Sequence, residues 1–189
     1  MKQGLHSFLI AFFLYSAFCI SEGYGQKSLP NYNALFKREA LEGKWYLVMT
    51  NARHWNSDKT TNIIFDFVTL KSPSGEATDH FNETISYLES GKAKERTKAL
   101  YPKANKKFGE QKLYRGKHSQ VHWYIVATAT DNHWLVVYLH GGLFRKDAIE
   151  VISRNPNLDK EDLEQIRKLF EESYFLQSKT KKIRENIQK

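Results

Sequence analysis

Beyond Cys19 the chain contains no cysteine, so no disulfide can staple the rest of it. Thiol nucleophiles, thiolate metal sites and dithiol redox chemistry are excluded there for the same reason. No apolar run reaches the roughly 20 residues that a membrane-spanning helix needs; the longest is Phe8–Ile20. There is no Gly-x-Ser-x-Gly turn for a serine nucleophile and no glycine-rich phosphate loop. No repeat, low-complexity tract or Pro/Gly-rich linker interrupts residues 26–189, which therefore read as one domain. What the sequence does have is aromatic bulk: 14% Phe, Trp and Tyr, with 26% charged residues, the composition of a soluble protein with a packed core.

Lys2 followed by the 13-residue run Phe8–Ile20 has the layout of a secretory signal, too short to be an anchor. Small residues stand at −3 and −1 of two cleavage points, after Ser21 and after Gly25. Either cut discards Cys19, and a secreted, extracellular chain without cysteine is expected. It must be held by burial and hydrogen bonding.

The formal net charge is +8 and remains so without residues 1–25. Lys92–Lys117 holds ten basic and two acidic residues, and the tail Leu176–Lys189 holds five and one. The remainder of the chain is net acidic. In Ala93–Tyr101 the even positions Lys94, Arg96 and Lys98 share one face, expected to be the outside. Such a hairpin could hold a glycan, lipid or nucleic-acid surface by counterion release.

Eight strands are expected at 44–51, 62–70, 78–89, 93–101, 107–115, 121–129, 133–140 and 145–153. The segments are rich in aromatic and β-branched residues and separated by Gly, Pro, Asn, Asp and Ser. After Asn155-Pro156-Asn157 the period changes. Asp159 can cap a helix in which Leu163, Ile166, Leu169, Phe170 and Tyr174 recur on one face. That face is expected to pack on Ile149 and Val151. The architecture is an all-β, eight-stranded up-and-down barrel or a sandwich with one C-terminal helix on the outside.

Gly43-Lys44-Trp45, opening the first strand, and Ser153-Arg154-Asn155-Pro156, ending the eighth about 110 residues later, resemble two motifs of the lipocalin family. The apolipoprotein D branch is the nearest in pattern. Thr128-Ala129-Thr130-Asp131-Asn132 departs from the Thr-Asp-Tyr of the family's middle motif. The resemblance covers Leu35–Phe175 and selects the barrel. It implies a lipocalin domain over 26–175, behind a 1–25 signal peptide and before a 176–189 basic tail. It also implies that Arg154 stacks on Trp45 beside Gly43, a structural site rather than a catalytic one.

Lipocalins typically carry small hydrophobic molecules inside the barrel, so the expected function is a secreted carrier or scavenger, with lipid binding and transport as its terms. The alternative is an interaction protein that uses the basic 92–117 hairpin and tail. Ile63, Phe65 and Phe67 form one face of the second strand. Trp123 and Ile125 alternate with Tyr124 and Val126, and Trp134 and Tyr138 with Leu135 and Val137; both parities stay open. The ligand-binding candidates are Phe65, Phe67, Trp123, Ile125, Trp134, Tyr138 and Glu150. Glu150 points inward if Ile149 and Val151 lie under the helix, and the resemblance places ligand at the position four before the arginine. A carboxylate there needs Lys112, a tyrosine hydroxyl, water or an amine ligand as partner. Asn82-Glu83-Thr84 is a glycosylation sequon at Asn82. His118 and His122 have helical metal spacing in a segment that reads as turn into strand, and His140-Gly141-Gly142 lacks a nucleophile turn to serve. No catalytic residue, metal site or cofactor is expected.

Overall fold

A computed structural model of the chain describes residues 36, 38–55, 57–105, 109–115, 122–141, 146–185 and 188, with backbone alone at 38, 79, 101–105, 109–115 and 122. The expected leader, His118 and part of the basic stretch lie outside the described residues. The strands are β1 (Gly43–Thr50), β2 (Thr60–Lys71), β3 (Ala77–Glu89), β4 (Lys92–Asn105), β5 (Gly109–Arg115), β6 (His122–Thr128), β7 (Trp134–His140) and β8 (Ala148–Ser153). Two helices follow, α1 (Lys160–Glu172) and α2 (Tyr174–Lys179), and then a two-residue strand, β9 (Arg184–Glu185).

Each strand from β1 to β8 pairs antiparallel with the next in the chain. β1 also pairs with β8 from Tyr46 to Thr50 and with β9 at Met49 and Thr50. The tight connections lie where the turn chemistry allows: Ser90 and Gly91 take positive φ in the β3–β4 turn, as Gly75 does before β3.

The core divides into two clusters by sheet face. On the face under the helices, here the outer face, Val48, Met49, Tyr124, Val126, Trp134, Val136, Tyr138, Ile149 and Val151 pack against Ile166, Leu169, Phe170 and Leu176. On the inner face Trp45, Leu47, Ile63, Phe65, Phe67, Phe81, Ile85, Leu100, Trp123, Ile125, Leu135, Val137, Leu139, Ala148 and Ile152 form the other. The expected contact of the helix with Ile149 and Val151 is present.

Helix α1 starts where its chemistry dictates. The Asp159 carboxylate accepts the Asp162 N–H at 2.8 Å, with Glu161 and Asp162 in the first turn. It ends earlier than the apolar spacing suggests. The Ser173 hydroxyl caps a second helix by accepting from the Leu176 N–H, and Tyr174 is left 77% exposed rather than in the core. The segment beyond 175, read as a basic tail, is built into the fold: Leu176 is fully buried and β9 joins the sheet.

A polar cluster pins the start of α1. Asp162 accepts from the Trp134 indole N–H at 3.1 Å and meets His133 Nε2 at 2.8 Å, while His133 Nδ1 faces Asp131. Burial pulls the His133 imidazole down, but Asp131 and Asp162 outweigh it and hold it above its ordinary value of 6.5. A raised histidine stabilises the fold fully below the unfolded value, and that contribution fades as pH rises through the folded one. The denaturant midpoint should therefore fall as pH rises above 6.5, and His133→Gln should flatten the slope. An equal slope in the variant would rule the cluster out as its source.

Candidate functional site

At one end of the sheet, Trp45 is fully buried and its indole N–H donates to Leu41 O at 2.7 Å. The Arg154 guanidinium lies 3.8 Å from the Trp45 ring centroid, a cation–π contact. It donates to Lys44 O (2.9 Å), Glu42 O (2.8 Å) and Ala40 O (2.5 Å). Gly43 has φ +92°, and a Cβ there would stand 3.2 Å from Arg154 Nη1, so both the backbone and the close approach require glycine. These contacts carry the pairing of Gly43, Trp45 and Arg154 expected from the sequence. The group closes the end of the sheet.

The inner face is the candidate site. Phe65 and Phe67 are stacked at 6.3 Å, and Phe67 meets Trp123 at 5.7 Å. β2 and β6 lie four strands apart in the sheet order, so this contact is made across the inner space, not along the sheet. Ile125 belongs to the same cluster. Trp134 and Tyr138, expected as ligand contacts, do not. Both lie on the outer face, where Trp134 bonds Asp162 and Tyr138 packs edge-on to Phe175 at 4.9 Å. The Tyr138 hydroxyl donates to Asp147 at 2.7 Å, and Lys179 Nζ meets the same oxygen at 2.7 Å. Burial pushes the Asp147 carboxyl up, yet Lys179, Tyr138, Gly141 N–H and His140 outweigh it and bring it to about 2. The cluster ties α2 to β7 and β8.

Parity failed on β7 because its first six residues are all buried: the helices cover one face as fully as the sheet covers the other. On β6 a bulge between Ile125 and Ala127 puts Val126 and Ala127 both outside.

Glu150 is fully buried and stands opposite Val137, on the inner face as inferred. Lys112, suggested as its partner, stands opposite Tyr124, a residue of the outer set. A second buried carboxylate, Glu83, stands opposite Phe67 on one side and Lys98 on the other. Sequence reasoning passed over Glu83, although it alternates in period two with Phe81 and Ile85. Asn82 therefore faces outward, opposite Val68, which is 53% exposed.

The basic row is also reassigned. Lys94, Arg96 and Lys98 stand opposite Tyr87, Ile85 and Glu83, so they share the inner face; Glu95 and Thr97 are the outer ones, bonding Ser86 and Thr84. Above them the β1–β2 loop inserts Trp55, which is 2% exposed, into the inner cluster. The Arg96 guanidinium sits 4.7 Å over its ring, and Tyr87 meets it edge-on at 5.2 Å. The indole N–H groups of Trp55 and Trp123 are buried and, among the described residues, have no acceptor. Nothing in the sequence around Trp55 signals this placement, because a loop residue has no period.

Solved structures share this fold. Lobster apocrustacyanin A1 is 18% identical over 86% of this chain and 87% of its own, with a TM-score of 0.60. Apocrustacyanin C2 is 16% identical over 86% and 89%, at 0.59. The siderocalin Ex-FABP, described as functioning through dual ligand specificities, is 15% identical over 70% and 86%, at 0.54. The fold is lipocalin-like. No protein-family model matches the chain, and no curated protein does. At these identities it is the lipocalin-like backbone that is shared; the residues lining its inner face are this chain's own.

Proposed function

We propose that the chain is a secreted carrier or scavenger that holds a small hydrophobic molecule against the inner face of an eight-stranded barrel. The observation that carries this reading is the Phe67–Trp123 contact between strands four apart, on a face where the aliphatic and aromatic side chains converge. β1 pairing with both β2 and β8 supports closure of the barrel. The dual ligand specificities described for the siderocalin Ex-FABP support carriage, and the Phe8–Ile20 leader pattern supports secretion. Asn82 would carry a glycan on the outer face. The apolipoprotein D branch remains the nearest pattern, and the reading assigns no catalysis.

Phe65, Phe67 and Ile63 are fully buried, so a ligand must displace side chains to bind. Trp55 is suited to move because a loop carries it. Tryptophan quenching by a panel of retinoids, fatty acids, steroids, bilins, haem and amines should show saturable binding by one class. Trp123→Ala should weaken that binding by about tenfold or more, the loss of a large buried contact, while Trp134→Phe leaves it within about twofold. The opposite ranking, or no saturable quenching by any class, would overturn the reading.

A further inference from the structure

We propose that the Lys182–Ile183 peptide bond is a cleavage site for an endoprotease that reads paired basic residues, and that the cut releases a C-terminal strap holding the Trp55 loop. The proposal goes beyond the carrier reading and stands without it.

Two independent observations meet at this bond. The first is chemical. Lys179, Lys181 and Lys182 place three ammonium groups in the four residues before it, and the first acid after it is Glu185. An acidic substrate cleft recognises such a run by charge complementarity. The second is geometric. Lys181 and Lys182 are exposed and form the turn between α2 and β9, where the Ile183 N–H donates to Thr180 O at 3.0 Å. A protease needs its substrate extended, and a turn beside a two-residue strand opens far more readily than the middle of a helix. Arg167–Lys168, the other basic pair lying wholly among the described residues, is inside α1.

The chain is anchored differently on the two sides of the bond. Upstream, Leu176 is fully buried, the Lys179 ammonium meets Asp147 at 2.7 Å, and the Lys179 carbonyl accepts from the Asn51 amide. These contacts survive the cut. Downstream, Arg184 reaches Ser57 O and Asp58, Glu185 reaches Arg167, and Gln188 reaches Leu47 O and Ile63 O. Ser57 O also accepts the Thr60 N–H, and Ala52 O accepts the Trp55 N–H, so Arg184 grips the loop at one of its own closing bonds.

Hydrolysis breaks the C–N bond of Lys182–Ile183. Water gives its hydroxyl to the Lys182 carbonyl carbon and its proton to the Ile183 nitrogen, leaving a carboxylate and an ammonium. In the continuous chain every contact of the strap is intramolecular and it stays seated. After the cut the same contacts must hold a free peptide, Ile183–Lys189, against dilution. Ile183 packs on the outer apolar cluster, where a new ammonium opposes rebinding.

The full chain, treated with a paired-basic endoprotease and followed by mass spectrometry, should lose Ile183–Lys189. Lys181→Gln combined with Lys182→Gln, which alters two exposed side chains, should block that loss. In the cut and desalted protein, amide exchange at Trp55 and Thr60 should be about tenfold faster, as expected for the loss of one or two net hydrogen bonds. Arg184→Gln in the uncut chain should reproduce part of this acceleration. A Lys182–Ile183 bond that survives in the folded chain, under conditions that cut it in the heat-unfolded chain, would overturn the site. Loss of the peptide with exchange at Trp55 and Thr60 unchanged would overturn the strap. Both results leave the carrier reading to its own test by tryptophan quenching.

Discussion

Trp45→Ala should lower stability by about 3–5 kcal/mol, the usual cost of emptying a fully buried aromatic position. In a domain of this size that corresponds to a melting point lower by roughly 10 °C. Three losses add at one place. The ring leaves a void where exposure is 0%, Leu41 O loses its donor, and the Arg154 guanidinium loses the surface 3.8 Å beneath it. Arg154→Ala should cost somewhat less, about 2–4 kcal/mol, because the carbonyls of Ala40, Glu42 and Lys44 then need water in its place. The two changes should be non-additive, since each removes the same stacked pair. Burial alone already pulls the Arg154 guanidinium below its ordinary value, so its retention there depends on these acceptors. The closed end lies at the start of β1 and the Trp55 loop at its finish, so ligand affinity in the folded fraction should survive both changes. Unchanged melting points in both variants would refute this account.

Deleting residues 180–189 should lower stability by about 3 kcal/mol, counting roughly 1 kcal/mol for each of three hydrogen bonds between distant segments. β1 and β2 pair only over Gly43–Tyr46 and Ile64–Phe67. Beyond that point the Gln188 side-chain amide donates to both Leu47 O and Ile63 O at 2.8 Å, bridging strands that no longer bond each other. Arg184 donates to Ser57 O at 2.6 Å and reaches Asp58 at 3.4 Å, holding the loop that carries Trp55, and Glu185 pairs with Arg167 of α1 at 2.7 Å. The truncated chain should exchange amide hydrogens faster at 47–50 and across the 52–58 loop, with Trp55 emission shifted to the red. Identical exchange at these positions would mean the segment holds nothing in place.

Much of this was legible in the chain because a single rule governs it. A strand with one covered face alternates, so Phe65 and Phe67 announce their side. A helix packed on a strand fixes that strand's parity, so Ile149 and Val151 under α1 place Glu150 inward. Gly43, Trp45 and Arg154 are readable through the family resemblance, and each meets a specific need there: a positive φ, a large ring and a flat cation. The rule fails where both faces are covered, as at Trp134 and Tyr138. It fails again where a bulge shifts the count, as between Leu47 and Met49 or at Ala127. The Lys94, Arg96 and Lys98 row shows a different failure. Alternation identified which residues share a face, but the assumption that charge faces water assigned that face to the wrong side. Only the partner register against Tyr87, Ile85 and Glu83 settles it.

The position of β1 has a kinetic consequence. Its neighbours come from opposite ends of the described chain: β2 is adjacent in sequence, whereas Thr50 bonds Ile149 across 99 residues and Leu47 bonds Gln188 across 141. A chain emerging from the ribosome must therefore keep its first strand half-paired until the last segments are released. Loop-closure entropy makes such distant pairings slow to form, and an unpaired strand edge is a template for association with other chains. Refolding yield should accordingly depend on protein concentration during the interval before β8 and β9 dock, and holding Met49 and Thr50 unpaired would lengthen that interval.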